Sequence, residues 1–237
     1  MRRRDRSQSF DYDVVIVGAG MVGAALALQL SAQTSLTICL LERASMLPDS
    51  AAPNQRVVAL GQQAHKVLSE LEVFQLLGES HAFPYQSMYV WDAGSHGELQ
   101  FAADDVNEPQ LGFMVDAIRC NYLLQQQCIA DPNIECRFDT RLNAIENTAE
   151  AARLDTDQGH MRARLVVAAD GANSWVRRQA RIFTNQLDYQ QSGIVTRIVS
   201  EKPHQACAWQ RFLETGPVAF LPLAENQCSI VWSVESS

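Results

Sequence analysis

Three glycines and one glutamate near the N-terminus have a spacing that can bind a dinucleotide. Gly18, Gly20 and Gly23 follow a short β-branched run and precede an Ala/Leu-rich stretch, and Glu42 ends the next apolar run. In such a unit the first glycine permits a tight turn, the second lets the main chain approach a pyrophosphate, and the third lets helix and strand pack closely. The glutamate can accept hydrogen bonds from ribose hydroxyls. The pattern predicts a dinucleotide site, with a purely structural turn as the alternative.

The elements around this motif indicate a parallel β-α-β unit. Residues 13–17 and 36–41 have the composition of buried strands, and the stretch that ends at Leu30 has helical length. Glu42 and Arg43 end the second strand, and both are candidate contacts of the bound group. Because the N-terminus of a helix carries partial positive charge, we expect the pyrophosphate to lie there.

A second strand-turn-helix junction occurs later in the chain. Asp170 and Gly171 come directly after the apolar run 163–169, and Ser174 stands where a helix can begin. Gly171 can adopt a positive φ, Ser174 can cap the helix, and Asp170 can accept main-chain N–H groups. Taken alone, the segment favours an ordinary capped turn.

The rest of the chain mixes α/β segments with antiparallel ones. Alternating apolar residues predict a β-hairpin at 84–102, and strands of the same period-2 texture follow residue 190. A helix is predicted over 114–130. We therefore expect an α/β fold in which a Rossmann-like domain, residues 11–83 and 103–185, is interleaved with a mostly antiparallel sheet, residues 84–102 and 186–237.

Several segments together resemble the flavoprotein aromatic hydroxylases, which are FAD-dependent monooxygenases. The stretch Leu165–Arg177 is similar to their Asp-Gly motif, and Gln55–Leu60 resembles the stretch whose arginine approaches the flavin. Asp188–Gln191 resembles the entry to their substrate sheet. The segments Arg211–Leu223 and Cys228–Ser233 resemble the sheet of the ubiquinone-biosynthesis branch, which includes the 2-polyprenylphenol hydroxylases. The resemblance spans about residues 11–235.

This resemblance implies a cofactor, a reaction and a set of contacts. It implies FAD as cofactor, NAD(P)H as reductant, and O₂ as the source of the oxygen atom that enters the ring of a prenylated phenol. The Rossmann-like domain then becomes the FAD-binding domain, and the antiparallel sheet becomes the substrate sheet. No catalytic side chain and no metal ligand is predicted. The expected cofactor contacts are Gly18, Gly20, Gly23, Glu42, Arg43, Arg56, Asp170 and Gly171.

Two departures from the family pattern modify these expectations. Ala117 occupies a position where related enzymes often carry Arg or Asn, and the family's Gly-Asp-Ala-Ala-His segment does not occur in the sequence. We therefore expect a sheet that is incomplete at the C-terminus and a 237-residue chain that is inactive by itself. A non-catalytic remnant of the FAD fold, or a scaffold partner in a biosynthetic complex, stays open as the alternative. The antiparallel segments fit two other enzyme classes less well. These are the NAD-linked dehydrogenases and the flavoproteins that reduce prenyl double bonds.

Charge and composition exclude other classes of function. The formal net charge of −8 opposes nucleic acid binding. The six cysteines form no Cys-x-x-Cys pair and are expected to be reduced core residues. No run approaches the roughly 18 apolar residues of a membrane span, which favours a cytoplasmic location. Peripheral contact with the inner membrane through the arginines at residues 2–6, a ubiquinone-biosynthesis complex and a homodimer are left open.

Overall fold

The computed structural model describes residues 10–49 and 53–236, whose contacts form two compact units. Unit 1 consists of the described residues up to Pro48 together with Asn121–Asn185. Unit 2 consists of the described residues of Asp49–Cys120 and of Gln186–Ser237. The arginines at residues 2–6 lie outside the described residues.

The described residues form fifteen strands and five α-helices. The strands are β1 (Tyr12–Val17), β2 (Ile38–Leu41), β3 (Val57–Gly61), β4 (Ala82–Tyr85), β5 (Ser87–Asp92), β6 (Glu98–Ala102), β7 (Gly112–Asp116), β8 (Ile134–Arg137), β9 (Leu142–Asn147), β10 (Ala152–Thr156), β11 (Gly159–Ala168), β12 (Gln191–Val199), β13 (Cys207–Leu213), β14 (Gly216–Pro222) and β15 (Gln227–Glu235). The helices are α1 (Met21–Gln33), α2 (Gln62–Glu70), α3 (Phe74–Leu77), α4 (Ala117–Ala130) and α5 (Trp175–Gln179).

Unit 1 is built on a six-stranded sheet in the order β8-β2-β1-β11-β10-β9. The first four of these strands run parallel, and β9 and β10 complete the sheet antiparallel. Val15 and Ile16 of β1 have no exposed surface, as expected for an inner strand of a parallel sheet. The carboxyl ends of β8, β2, β1 and β11 consequently share one edge of the sheet, which is where ligands of such sheets bind.

Unit 2 contains a six-stranded sheet in the order β12-β15-β14-β13-β5-β6 and a three-stranded sheet in the order β3-β7-β4. The predicted hairpin is present as β5 and β6, and β5 pairs in parallel with β13, from Ser87–Cys207 to Asp92–Phe212. The antiparallel strands after residue 190 therefore share one sheet with the hairpin, as expected. The α/β fold expected from the sequence is confirmed.

The two units differ from the predicted domains at their boundaries. Contacts place residues 49–83 and 103–120 with the antiparallel sheet, whereas the sequence assigned both segments to the FAD-binding domain. The reason is the three-stranded sheet, because β3, β4 and β7 pair with one another and lie in these segments. Contacts do not test which residues hold a cofactor, and the domain assignment stays a prediction.

The helix predicted over 114–130 begins later than expected. Gly112–Asp116 form β7, and α4 begins at Ala117. The cause is Asp116, whose Oδ1 accepts the N–H groups of Ile118 at 3.0 Å and Arg119 at 3.1 Å and so caps the helix.

The cysteines of the chain are free thiols, and all except Cys136 are buried. Burial raises the pKa of Cys39 and of Cys120 to about 12, so these thiols stay protonated at neutral pH and are poor nucleophiles. Within residues 10–49 and 53–236, no helix combines the length and apolar character that crossing a bilayer requires.

Candidate cofactor site

The two turns identified in the sequence lie side by side in unit 1. β1 and β11 are parallel neighbours, and the Ala169 N–H donates to the Val17 carbonyl at 2.8 Å where the two strands end. Gly18 has a φ of +107°, and a Cβ at this position would lie 2.4 Å from the Ala169 carbonyl oxygen. Glycine is therefore required at position 18 for both its backbone angle and its space.

Gly23 and Gly20 have different roles in the fingerprint. A Cβ at Gly23 would lie 1.9 Å from the Gly18 carbonyl oxygen, so this glycine allows α1 to pack against the turn. A Cβ at Gly20 would meet no atom within 4 Å. Gly20 therefore borders open space, which is the space a pyrophosphate needs for close approach to the main chain.

The N-terminus of α1 begins at this open space. Gly20 is the N-cap residue, and no side chain accepts a hydrogen bond there. The first helical hydrogen bond runs from the Ala24 N–H to the Gly20 carbonyl at 2.9 Å. The N–H groups of the first turn can thus donate to an anion, and the helix dipole favours negative charge at the same place.

Glu42 lies at the end of β2 and is held by the main chain on both of its carboxylate oxygens. Its Oε2 accepts the Ala19 N–H at 2.8 Å, and its Oε1 accepts the Ala44 N–H at 2.9 Å. A carboxylate has about four acceptor positions, so two hydrogen bonds leave it able to accept ribose hydroxyls as well. Glu42 is half-buried and Arg43 beside it is exposed.

Asp170 organises the second turn. Its Oδ2 accepts the N–H groups of Trp175 at 2.6 Å and Val176 at 3.1 Å, and its Oδ1 accepts the Ser174 hydroxyl. Ser174 in turn caps α5 by accepting the Arg177 N–H at 2.9 Å, and Gly171 has a φ of +84°. The local roles predicted for Asp170, Gly171 and Ser174 are confirmed.

A cavity of about 610 Å³ lies at this edge of the unit 1 sheet, within the size range of small-molecule sites. Of the expected contacts, it is lined by Gly18, Gly20, Glu42, Arg43, Asp170 and Gly171. Gly23 serves packing behind the turn. Arg56 belongs to unit 2, where its carbonyl accepts the Ala117 N–H at 3.0 Å, and its role at a flavin stays a prediction.

The sequence did not single out four polar residues that line the same cavity. They are Thr140, Arg141, Asn143 and Arg178. Thr140, Arg141 and Asn143 follow β8 in the chain. The carboxyl end of β8 lies at the same edge of the sheet as those of β2 and β1, so recognising β8 as a parallel strand would have pointed to these residues. Together with Arg43, the two arginines give the cavity a cationic border that suits a pyrophosphate.

Comparisons with known proteins agree with this geometry. The profile of a protein family described as FAD binding domain matches residues 11–236. The chain is 34% identical over 223 residues to the 3-demethoxyubiquinol 3-hydroxylase of Escherichia coli, covering 93% of this chain and 56% of that protein. It is 31% identical over 242 residues to the ubiquinone biosynthesis monooxygenase COQ6 of Danio rerio, covering 94% and 49%. The chain thus spans about half the length of the curated relatives it matches.

Solved structures share the fold at lower sequence identity. PqsL of Pseudomonas aeruginosa, a probable FAD-dependent monooxygenase, superposes with a TM-score of 0.77 at 20% identity, over 94% of this chain and 60% of that one. The p-nitrophenol 4-monooxygenase PnpA of Pseudomonas putida superposes with a TM-score of 0.73 at 16% identity, over 94% and 57%. At these identities the likeness concerns the fold alone.

Proposed function

Because the chain belongs to the FAD binding domain family, we propose that its unit 1 cavity holds the adenosine diphosphate part of FAD in a ring-hydroxylating monooxygenase. One observation carries this proposal. The glycine turn and the Asp170-Gly171 turn line the same cavity, in which Gly20 borders open space and a hydrogen bond from the Ala19 N–H fixes Glu42. FAD is the cofactor that the family binds. NAD(P)H and O₂ are the proposed co-substrates.

Different residues of the cavity are proposed to bind the pyrophosphate and the adenosine ribose. The pyrophosphate takes the open space at Gly20 and the N–H groups of the first turn of α1. The carboxylate of Glu42 accepts the hydroxyls of the adenosine ribose, and Arg43 adds positive charge at the same strand end. The Asp170-Gly171 turn also lines the cavity, and the hydrogen bonds from α5 to Asp170 keep its main chain in place.

The chemistry itself belongs to the cofactor. Bound FAD, once reduced, supplies the activation of O₂, and the protein supplies binding, orientation and a dry environment. The proposed role of the residues of this chain is to position the cofactor and the substrate for reaction. None of them is proposed as a catalytic acid, base or nucleophile.

The proposed substrate is a prenylated phenol of ubiquinone biosynthesis. Support comes from relatives whose names state ubiquinone hydroxylation and whose similarity extends over nearly all of this chain. A prenyl chain partitions into a bilayer, with each buried CH₂ contributing about 0.8 kcal/mol. This partitioning supports a position at the surface of the membrane that holds the substrate, and we propose that the protein reaches this surface from the cytoplasm.

The test uses the protein at its natural length. Purified protein should carry the visible absorption of oxidised flavin, consume NAD(P)H faster when a prenylphenol is present, and add one oxygen atom to the phenol by mass spectrometry. Supplying ¹⁸O₂ should label the product. Purification without flavin, together with no binding of added FAD, would instead support the non-catalytic remnant. Flavin binding without oxygen transfer to any prenylphenol would overturn the proposed reaction.

A further inference from the structure

The turn that follows α5 in unit 1 exposes two large apolar side chains. Ile182 is 61% exposed and Phe183 is 92% exposed. The residues on their N-terminal side, 178–181, are exposed as well. Leaving Ile and Phe side chains in water forgoes the free energy that their burial would release. Neighbouring exposed apolar residues with a polar rim are typical of a surface that contacts a protein or a membrane.

Three arginines directly precede these apolar residues. They are Arg177, Arg178 and Arg181. Residues 171–187 contain these arginines and no acidic residue, although the whole chain has a formal net charge of −8. Among the described residues, neither Arg177 nor Arg181 forms an ion pair. The turn is therefore a local region of positive charge on an acidic protein.

Main-chain hydrogen bonds fix the shape of this turn. The Arg181 N–H donates to the Arg178 carbonyl at 3.0 Å, and the Ile182 N–H donates to the Arg177 carbonyl at 3.1 Å. In this arrangement, the Schellman motif, the residue with left-handed backbone angles is usually glycine. Arg181 occupies that position with a φ of +55°, at a cost that glycine would avoid. What the arginine adds is a guanidinium directly before Ile182.

The surface of an anionic bilayer matches both properties of the turn. Negatively charged headgroups attract arginines that lie close to them, within about a Debye length. Apolar side chains beside those arginines can enter the boundary between headgroups and acyl chains. A nucleic acid would match the positive charge but would leave Ile182 and Phe183 in water.

We propose that residues 177–183, which we call the basic turn, dock onto an anionic membrane surface. Arg177 and Arg181 contact the headgroups, and Ile182 and Phe183 enter the apolar boundary below them. This inference rests on the proposed function and deepens it, because a protein docked in this way meets a prenylated substrate without that substrate crossing water. The docking step itself requires neither FAD nor the phenol.

The test is sedimentation of the natural-length protein with lipid vesicles, in the absence of any phenol. Vesicles of phosphatidylcholine and phosphatidylglycerol should bind the protein, and the binding should weaken as salt is added. Vesicles of phosphatidylcholine alone should bind it less. The double variant Ile182→Ser, Phe183→Ser should lower the partition coefficient onto the mixed vesicles by about tenfold or more.

Arg181→Gly separates the loss of charge from any loss of folding. The change removes the guanidinium and also relieves the left-handed backbone strain at this position. It should therefore keep or raise the midpoint of thermal unfolding while it weakens partition onto the mixed vesicles about fivefold. A partition coefficient equal to that of the parent would contradict the headgroup contact.

The matched control for the apolar residues is the double variant Leu99→Ser, Phe101→Ser. Both side chains are exposed, but Glu98 and Asp104 lie on either side of them in the chain. An anionic surface repels such a site, so this variant should partition as the parent does. Arg153→Gln is the control for charge, since Arg153 is an exposed arginine outside the basic turn.

The two proposals fail in different ways. A parent that hydroxylates prenylphenol but does not sediment with the mixed vesicles would overturn the docking surface and leave the proposed function standing. Equal partition of the Ile182-Phe183 and Leu99-Phe101 double variants would have the same meaning. A parent that docks through the basic turn but transfers no oxygen would leave the docking surface standing and overturn the proposed reaction.

Discussion

The main-chain N–H of Ala19 donates a hydrogen bond of 2.8 Å to the Oε2 of Glu42, although the two residues lie 23 positions apart. This bond ties the middle of the glycine turn to the end of β2. The Oε1 of the same carboxylate is held by the Ala44 N–H. Glu42 is therefore positioned before any nucleotide arrives, which lowers the entropic cost of binding.

Gly20→Val should abolish FAD binding without unfolding the protein. The added side chain fills the open space at the first turn of α1, where the pyrophosphate is proposed to lie, and it meets no protein atom at its Cβ. We expect FAD affinity to fall at least about a hundredfold, because two or more hydrogen bonds to the charged pyrophosphate are lost. Flavin absorbance after dialysis and a thermal unfolding scan measure the two quantities.

Gly61→Val is the matched control for this change. Gly61 caps α2 with φ −75° and ψ 173°, close to the φ −69° and ψ 173° of Gly20, and its Cβ would also meet no atom within 4 Å. Both variants therefore lose a glycine N-cap at a similar cost of about 1 kcal/mol. Normal flavin content in Gly20→Val, or equal loss in both variants, would contradict the assignment of the pyrophosphate.

Glu42→Ala should weaken FAD and ADP by the same factor, about tenfold to a hundredfold. The reason is that both ligands contain the adenosine ribose, and the proposed contact involves no other part of FAD. Isothermal titration of each ligand measures the effect. Glu146→Ala is the control, because the Glu146 side chain is 70% exposed and its ion pair with Arg153 spans 3.8 Å. Loss of FAD affinity with unchanged ADP affinity would place Glu42 elsewhere on the cofactor.

Asp170→Ala should destabilise the protein more than Ser174→Ala does. Asp170 accepts two main-chain N–H groups and the Ser174 hydroxyl, whereas Ser174 accepts one N–H. We expect about 2–3 kcal/mol for the first change and about 1 kcal/mol for the second. Urea unfolding measures the free energy of unfolding of both variants. A larger loss in Ser174→Ala than in Asp170→Ala would mean that Asp170 is not the main stabilising residue of the turn.

Asp13→Asn should lower stability at neutral pH and lose its effect in acid. Hydrogen bonding from the Thr37 main chain holds the pKa of Asp13 below its ordinary value against the opposing effect of burial, and Arg164 adds to the lowering at 3.1 Å. A lowered folded pKa contributes stability that is complete above the unfolded pKa of about 3.9 and is lost as the pH falls through the folded pKa.

The expected difference between parent and Asp13→Asn is about 1 kcal/mol at pH 7 and shrinks toward zero below the folded pKa of Asp13. Urea unfolding at neutral pH and at a series of acidic pH values checks it. An equal difference at every pH would show that the carboxylate charge is not what stabilises the junction of β1 with β2.

The sequence predicted the parts of the site that depend on local backbone requirements. Gly18 and Gly171 adopt positive φ, and Asp170 and Ser174 cap a helix, and each of these roles is set by a few consecutive residues. The predicted family, fold class and cofactor are confirmed by the family profile over residues 11–236 and by the fold itself. The individual cofactor contacts stay predictions.

What the sequence could not supply depends on which strands become neighbours. Thr140 and Arg141 reach the cavity only because β8 pairs with β2. Arg197 and Ser229 are neighbours only through the register of β12 with β15. Phe220 and Trp232 share one face of this sheet and Phe212 lies on the other, and this division also follows from the register. A one-residue change of register would reverse each of these placements.

The pairing of β1 with β11, in which Tyr12 lies opposite Ala163, has a consequence for biosynthesis of the protein. A ribosome adds about 5–20 residues per second, so β1 is synthesised roughly 8–30 s before its partner strand. During that interval the apolar residues of β1, β2 and α1 have no completed sheet to cover them. The nascent chain should therefore be a client of ribosome-associated chaperones, and its yield in a cell-free system should rise when such chaperones are supplied.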